Sequence, residues 1–160
     1  HGLNHAVFDL APTAEMMAWD ITALGLPNAN LPFERGQLQQ HMEVRGVWLE
    51  RGLIDAQDAR LMDGPLGLAK HRCLATLVFA CGEDLPRDRR DLALSLAREF
   101  TEAAPAGLVA GVTSPHPRMV VLRTLSPLVE PAQNLLRGVW AAWRRGLWAM
   151  ADKPPRIWSM

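Results

Sequence analysis

Two pairs of residues in this 160-residue sequence could do nucleophilic chemistry. His71 and Cys73 lie two positions apart, so on a strand their side chains share a face and the imidazole could activate the thiol. No acid lies nearby to orient the imidazole, which favours a packed thiol over a catalytic dyad. Ser114 and His116 have the same spacing, yet the nucleophile elbow and the acid partner of a hydrolase are missing around them. The sequence therefore predicts no catalytic site.

Metal-binding and phosphate-binding patterns are missing as well. His1 and His5 stand close together, but no third ligand follows at a spacing typical of a metal site. The segment 60–68 is predicted to be a glycine-containing loop. A phosphate loop would end in Lys-Ser or Lys-Thr at the start of a helix, whereas Lys70 precedes a predicted strand. We therefore expect no tightly bound cofactor.

Charge and cysteine content narrow the class of protein. The chain has 17 basic and 17 acidic residues, so its net charge gives no attraction to nucleic acid or to an anionic membrane. Cys73 and Cys81 lie in an apolar run, which fits buried free thiols in a reducing compartment better than a disulfide. That run is far shorter than the roughly 20 residues of a membrane span, and no apolar leader opens the sequence. We expect a cytoplasmic protein with neither a membrane nor a nucleic-acid partner.

Alternating apolar and polar residues predict strands over much of the first half of the chain. In the segment 13–26, each face of such a strand is apolar apart from one acid. A hairpin that turns near Gly46 follows. The run 74–81 is apolar on both faces, which is typical of a central strand covered on both sides.

The second half mixes helices with two more strands. We expect Asp84 to satisfy free amides at the start of the first helix. The buried edge of that helix is predicted to consist of Leu92, Leu96, Phe100 and Ala103. Two strands should follow, separated by a turn at 114–117 that its prolines keep out of any ladder.

The order of these elements predicts the fold class. The chain is long enough to bury one core and too short for two comfortable domains. We predict strands over about 6–83 and 106–125, and helices over about 85–103 and 128–150. Residues 1–160 should thus form a single α+β domain, mainly β, with stacked strands, an inserted helix and a C-terminal helix.

The stretch 128–160 contains four of the chain's six tryptophans. Its apolar residues recur at three-and-four spacing, which predicts a helix with one buried face. The pair Pro154-Pro155 ends the helix, and we expect an extended tail from Pro155 to Trp158. Two interpretations remain open, namely a closing helix packed on a sheet and a partner-binding surface.

The same stretch resembles a known family. The pattern Leu-Leu-x-x-Val-Trp-x-x-Trp-Arg at 135–144 is followed by Pro-Pro-Arg-Ile-Trp at 154–158. This combination is similar to the end of the urease accessory protein UreD, called UreH in some species. Terminal Pro-Arg-Ile-Trp after such a helix is a fairly specific signature.

Two further segments extend the resemblance to nearly the whole chain. Trp19-Asp20 stands ahead of Leu-Gly-x-Pro at 24–27, and Glu50-Arg51 lies on a predicted hairpin strand. The resemblance implies a mostly β stack of long strands with helices near the C-terminus. It corresponds only to the C-terminal part of the family, so we expect an N-terminal β-rich part to be missing.

By this resemblance the chain is a scaffold in urease maturation and not an enzyme. Members of the family stand between apo-urease and the accessory proteins UreF and UreG, the latter a GTPase, and help to deliver nickel. The implied partners are therefore the urease structural subunits, UreF and UreG, with nickel only in transit. Two alternatives from other classes are a small β-rich module with a tryptophan-lined apolar pocket and a hydrolase that uses His71, Cys73 and a remote acid.

A delivery role favours isolated carboxylates along a passage, because they hold nickel more weakly than a cage of histidine and cysteine. Asp20 and Glu50 are the candidates for a transient nickel path, since each is an acid on a largely apolar strand. The alternative is that they form ordinary ion pairs with Arg51 or Arg45, or face solvent. The candidates for partner binding are Trp140, Trp143, Arg144, Trp148, Arg156 and Trp158, because aromatic and arginine side chains dominate interface energetics.

Overall fold

The computed structural model describes residues 1–159, with only the backbone for residues 157 and 159. The strands are β1 (Gly2–Phe8), β2 (Glu15–Ala23), β3 (Gly25–Leu26), β4 (Leu31–Pro32), β5 (Gln37–Val44), β6 (Trp48–Asp55), β7 (Cys73–Cys81), β8 (Val109–His116) and β9 (Met119–Ser126). The α-helices are α1 (Ala59–Asp63), α2 (Arg87–Glu102) and α3 (Val129–Trp148). Short 3-10 turns span Pro27–Ala29 and Arg156–Ser159.

Seven of the strands form two sheets. A four-stranded antiparallel sheet has the order β2-β7-β9-β8, and a three-stranded sheet has the order β1-β5-β6 with β1 parallel to β5. Strands β3 and β4 pair with each other in a small separate hairpin. The predicted fold class, mainly β with an inserted helix and a C-terminal helix, is confirmed.

Strand β7 is the centre of the four-stranded sheet. Four consecutive residues, Leu77 to Ala80, have no exposed surface. Leu77 and Phe79 point into the core beneath α2 and α3, while Val78 and Ala80 point into the interface with the three-stranded sheet. The prediction of a central strand covered on both faces is confirmed, and the apolar character of both faces is its cause.

Helices α2 and α3 cover one face of the four-stranded sheet. Trp143 on α3 is fully buried there, and its indole Nε1 donates a hydrogen bond to the carbonyl oxygen of Ala93 at 2.9 Å. The apolar stripe predicted for α3 is confirmed in its centre. Its buried members are Ala132, Leu135, Leu136, Val139, Ala142 and Trp143.

The predicted buried edge of α2 is confirmed in part, since Leu96 and Phe100 are half-buried and pack against the core. Ala93 and Ala97 are its buried positions, Leu92 is 42% exposed, and Ala103 is exposed. Small residues on this edge let α3 approach closely. On α3, a Cβ added at Gly138 would lie 2.6 Å from the Phe100 ring, which shows how tight the contact is.

The start of α2 also corrects a prediction. Its N-cap is Pro86, which makes no side-chain cap hydrogen bond. Asp84 does not cap the helix, because its Oδ1 accepts a hydrogen bond from Arg118 Nε at 3.0 Å. An arginine brought close by the fold thus outcompetes the free helix amides for this carboxylate.

Three other segments differ from the sequence prediction. The expected loop at 60–68 begins inside α1, because Asp58 caps that helix by accepting hydrogen bonds from the next backbone amides. Strand β8 runs through Pro115, where a β-bulge between Thr113 and His116 accommodates the missing amide donor. The tail at Arg156–Ser159 forms a 3-10 turn and is not extended.

Candidate functional site

A row of polar side chains crosses the interface between the two sheets. Strand register places Asp20 beside Thr76 and Thr76 beside Arg123 on neighbouring strands of the four-stranded sheet. The three-stranded sheet meets this row with amide side chains at the Asp20 end and with Glu50 at the Arg123 end. We refer to this set as the polar belt. Its members are Asn4, Asp20, Thr22, Gln40, Glu50, Thr76 and Arg123.

Two apolar clusters enclose the polar belt within the sheet interface. One is built around Val44, Val78, Ala80, Met119 and Val121, and the other around Leu24, Ile54, Met62 and Leu68. The belt therefore interrupts a surface that is otherwise made for burial. Polar groups in such a place are costly unless they are hydrogen-bonded or bind something.

The Asp20 end of the belt is a carboxylate held by three donors. Asp20 Oδ1 accepts from Asn4 Nδ2 at 2.8 Å, and Asp20 Oδ2 accepts from Thr22 Oγ1 at 3.0 Å and Gln40 Nε2 at 3.1 Å. Gln40 is only 5% exposed, so this end is well inside the interface. All three donors are neutral, so they satisfy the oxygens of Asp20 without cancelling its charge.

The Glu50 end of the belt is an ion pair. Arg123 donates from Nε at 3.1 Å and from Nη2 at 2.6 Å to the same oxygen, Glu50 Oε2. The guanidinium also lies 5.8 Å from the centre of the Trp48 ring. The alternative interpretation, an ordinary ion pair, is thus confirmed for Glu50, but its partner is Arg123 and not Arg51 or Arg45. Arg51 follows Glu50 on the strand and so points to the opposite face of the sheet.

The structure does not bring Asp20 and Glu50 together. They belong to different sheets and occupy opposite ends of the belt, with the width of β7 between them. The usual strand spacing of about 4.8 Å puts Asp20 and Arg123 roughly 10 Å apart across the sheet. Among residues 1–159, no three His, Cys, Asp or Glu side chains are grouped to hold a metal ion. The belt therefore offers separate oxygen sites and not a cage.

A cavity opens at the Glu50 end of the belt. It has a volume of about 430 Å³ and is lined in part by Glu50, Thr76, Gly111 and Arg123. The side chain of Arg123 is 55% exposed there, whereas that of Glu50 is 24% exposed. The belt thus has one end in contact with solvent.

A second candidate region is half-buried and lies where the C-terminal turn packs against α3 and β2. Trp158 packs between two other indoles, with ring centroids 4.7 Å from Trp19 and 4.7 Å from Trp140. Arg144 lies 4.9 Å from the Trp140 ring centre, and Arg137 lies 5.3 Å from that of Trp158 and donates to its carbonyl oxygen at 3.2 Å. We refer to these five residues as the tryptophan surface.

The other residues proposed for partner binding lie in different surroundings. Trp143 is fully buried in the core, so its side chain is not on the surface. Trp148 is half-buried, and its Nε1 donates to Glu15 Oε2 at 2.6 Å. Arg156 is exposed on the C-terminal turn. The structure thus places Trp140, Arg144 and Trp158 of the predicted set in one surface.

Strand β2 also carries Glu15, whose side chain faces the helices and not the three-stranded sheet. Arg89 on α2 forms a two-pronged ion pair with its carboxylate and also donates to the carbonyl oxygen of Leu147 at 3.0 Å. The hydrogen bond from Arg89 holds the pKa of Glu15 below its usual value, against the opposing effect of burial. The same contact raises the pKa of Arg89. This network joins β2, α2 and α3.

The two thiols are buried and their pKa values are raised. Cys73 and Cys81 are 2% and 4% exposed and do not pair with each other. Burial raises the pKa of Cys73 and raises that of Cys81 to about 12. His71 turns away from Cys73, since its ring nitrogens lie 3.0 Å from the Leu68 carbonyl oxygen and 3.1 Å from that of Gly107. The packed-thiol interpretation is confirmed.

Comparison with known proteins decides the family. The model of the UreD urease accessory protein family matches residues 2–159. The chain belongs to the UreD family of urease accessory proteins. It is 59% identical over 157 residues to the urease accessory protein UreD of Albidiferax ferrireducens, and 55% identical over 157 residues to that of Paracidovorax citrulli. Each alignment covers 98% of this chain, which spans only 57% of the length of each of these relatives.

Membership of the UreD family bears on two predictions. The resemblance proposed from the C-terminal motif is confirmed, since the family match runs through that motif. The relatives are named as accessory proteins of urease and not as enzymes, which agrees with the prediction that the chain has no catalytic role. In the part of this UreD-family chain that the structure describes, no helix is both long and apolar enough to cross a membrane.

Sequence reasoning missed several members of the belt in this UreD-family chain. Gln40 is a polar gap in the apolar face formed by Leu38, Met42 and Val44, and that gap is a signal visible in the sequence. Arg123 is a charged residue in the apolar strand β9, which is a similar signal. The pairing of Arg123 with Glu50 joins positions 73 residues apart, so no local pattern predicts it.

Proposed function

We propose that this chain acts in urease maturation as a non-catalytic scaffold, with Ni²⁺ passing along the polar belt and partner proteins binding at the tryptophan surface. Nickel is here a cargo in transit and not a resident cofactor. The proposed partners are the urease structural subunits and the accessory proteins UreF and UreG, and the proposed compartment is the cytoplasm. Family membership supports the role in maturation, and the belt supports the passage.

The observation that carries the proposed passage is the state of Asp20. Its carboxylate lies between two apolar clusters, and the donors that hold it are all neutral. A negative charge in such a place is costly, and protein interiors compensate it by a cationic partner or by a bound metal ion. Ni²⁺ arriving at Asp20 would supply the missing positive charge.

The chemistry of the belt suits brief residence better than storage. Its potential ligands are carboxylate, amide and hydroxyl oxygens from Asp20, Asn4, Gln40 and Thr22. Such oxygen donors hold Ni²⁺ less tightly than imidazole or thiolate ligands do, and the two cysteines face the helix core on the other side of the sheet. Ni²⁺ bound this weakly could be passed on to a stronger site.

The tryptophan surface has the composition of an interface hot spot. Tryptophan and arginine are the residues most enriched at such centres, and here they are stacked on one another before any partner binds. Stacking fixes their rotamers, so little side-chain freedom remains to be lost on binding. Urease and its other accessory proteins are the partners that we propose for this surface.

A complementation assay tests the proposed passage. In the full-length protein, the double variant Asp20→Ala/Glu50→Ala should lower urease activation at limiting nickel by at least about tenfold while the protein remains folded by circular dichroism. The matched control is Glu43→Ala/Asp63→Ala, which removes two acids that lie outside the belt and pair with His41 and Arg72. Equal activation by wild type and by the belt variant would exclude the passage.

A pull-down tests the proposed surface. The double variant Trp140→Ala/Arg144→Ala should lose binding to urease or to the UreF and UreG proteins, with an expected weakening of about 10² to 10³-fold for two hot-spot residues. Leu66→Ala is the control, because Leu66 is a fully exposed apolar side chain on a different part of the protein. Wild-type retention of every partner by the double variant would exclude the surface.

A further inference from the structure

The polar belt contains a fixed positive charge on the route proposed for a cation. Arg123 places both Nε and Nη2 on one carboxylate oxygen of Glu50, at 3.1 Å and 2.6 Å. A guanidinium stays protonated at any physiological pH, so it cannot release Glu50 by losing a proton. Both bonds reach Oε2, so a metal ion on Glu50 would compete with the guanidinium for that oxygen and be repelled by its charge unless the arginine side chain moves.

The surroundings of Arg123 allow that movement. Its side chain is 55% exposed and borders the ≈ 430 Å³ cavity at the end of the belt. The centre of the Trp48 ring already lies 5.8 Å from the guanidinium in the ion pair, and the face of an indole attracts a guanidinium, so this contact can hold Arg123 when Glu50 is released. Partly exposed ion pairs of this kind are weak and can exchange with a competing cation.

We propose that Arg123 is a displaceable counter-ion of the polar belt, which neutralises Glu50 while no metal is bound and moves off Glu50, keeping its contact with Trp48, when a divalent cation takes its place. This inference rests on the proposed passage of Ni²⁺ along the belt. Arg123 is then a residue that sets affinity and selectivity at the Glu50 end. It is not itself a ligand.

Charge is the basis of the selectivity. The attraction between two ions scales with the product of their charges, so a divalent cation gains about twice as much from Glu50 as a monovalent one at the same distance. Sodium and potassium ions carry no more charge than the guanidinium and lack its two hydrogen bonds. Arg123 therefore keeps abundant monovalent ions off Glu50 while yielding to Ni²⁺.

Isothermal titration calorimetry with Ni²⁺ on the 160-residue chain tests this role. Arg123→Met removes the competing charge and should tighten Ni²⁺ binding about tenfold, since displacement no longer has to occur. Arg123→Lys keeps a charge at this position and should bind nearly as the wild type does. The tightening should disappear in the double variant Arg123→Met/Glu50→Gln.

Arg118→Met is the matched control for a general charge effect. Arg118 lies on the turn before β9, and its Nε bonds Asp84 at 3.0 Å outside the belt. Its removal should change Ni²⁺ affinity by less than about twofold, because Arg118 lies outside the belt and the interaction between separated, exposed charges is screened by salt. An equal tightening in Arg118→Met and Arg123→Met would overturn the proposal.

Two failures have different signatures. If Asp20→Asn and Glu50→Gln both weaken Ni²⁺ binding but Arg123→Met leaves it unchanged or weaker, the role of Arg123 is wrong and the passage stands. If neither acid variant weakens binding, or the chain binds no Ni²⁺, the passage itself is wrong and the role of Arg123 falls with it.

Discussion

Strand β2 carries one acid on each of its faces, and the two acids have opposite surroundings. Glu15 faces α2 and α3, where Arg89 and Trp148 supply a full charge and a further hydrogen bond. Asp20 faces the three-stranded sheet, where it meets only neutral donors. One acid is compensated within the fold, and the other is held in place with its charge available.

This contrast extends across the whole four-stranded sheet. On the helix face, one continuous apolar core runs from Cys73 to Trp143. On the face toward the other sheet, two apolar clusters are separated by the polar belt. The helix face has the organisation expected of a core. On the opposite face, the belt places a line of polar side chains where apolar ones would otherwise be buried. We propose that the buried core of the helix face supplies stability and that the belt supplies the route for Ni²⁺.

The largest expected effect on stability lies on the helix face. Trp143→Ala removes a fully buried indole that also bonds the Ala93 carbonyl oxygen, so the free energy of unfolding should fall by about 3–5 kcal/mol. Chemical denaturation followed by circular dichroism measures this. Trp143→Phe keeps most of the packing and should cost clearly less. A loss below about 1 kcal/mol for the alanine variant would contradict the stabilising role of the helix face.

The next largest loss of stability is expected at Glu15, the acid that Arg89 compensates. Glu15→Gln leaves Arg89 without its counter-ion, so stability at neutral pH should fall by roughly 1–2 kcal/mol. Because the folded-state pKa of Glu15 lies below its usual value of 4.5, its contribution is complete above that value and is lost as the pH falls through the folded pKa.

The pH dependence of the stability of Glu15→Gln and wild type provides an internal control. The difference in stability between the Glu15→Gln variant and the wild type should be constant between about pH 6 and 8 and should shrink in acid, below about pH 4. Denaturation curves for both proteins across this range give the answer. A difference that grows on acidification would have the wrong sign and would contradict the role of Arg89.

A smaller effect on stability is expected in the belt. Asp20→Asn keeps the shape of the side chain and removes a charge that has only neutral donors, and the Asn4 or Gln40 amide can flip to accept from the new NH₂ group, so the free energy of unfolding should change by less than about 1 kcal/mol. Urease activation by the full-length variant should nevertheless fall. A large loss of stability would show that Asp20 is structural, which would remove the contrast between the two acids.

The smallest response is expected when the folded chain is treated with a thiol reagent. Burial keeps Cys73 and Cys81 protonated, so a thiol reagent should not label the folded chain at pH 8 within minutes, and both should react after denaturation. Mass spectrometry counts the labels. Rapid native labelling of Cys73 would reopen the hydrolase alternative.

Periodicity was sufficient for the parts of the fold that depend on local alternation. The hairpin of β5 and β6, the central strand β7 and the buried stripe of α3 follow from their residues alone. The buried edge of α2 followed only in part, because Leu96 and Phe100 pack against the core as predicted but the fully buried positions are Ala93 and Ala97, where Trp143 of α3 bonds the Ala93 carbonyl oxygen. The contact with α3 comes from a distant part of the sequence.

Prediction of the candidate site was limited in the same way. Asp20 and Glu50 could be named because each is an acid on a largely apolar strand. Their partners could not, since Asn4, Gln40 and Arg123 come from other strands and meet them only through sheet packing. The stacking of Trp158 on Trp19 likewise joins the two ends of the chain.

The most direct test is where Ni²⁺ binds in the folded chain. Ni²⁺ is paramagnetic in oxygen-rich sites and broadens the NMR signals of nearby amides, while Zn²⁺ is a diamagnetic control. We expect selective broadening for amides around Asp20, Gln40, Thr76 and Glu50, with the helix-face amides unaffected and with the effect lost in Asp20→Asn/Glu50→Gln. Broadening centred on His1 and His5, with the belt signals unchanged, would contradict the proposed passage.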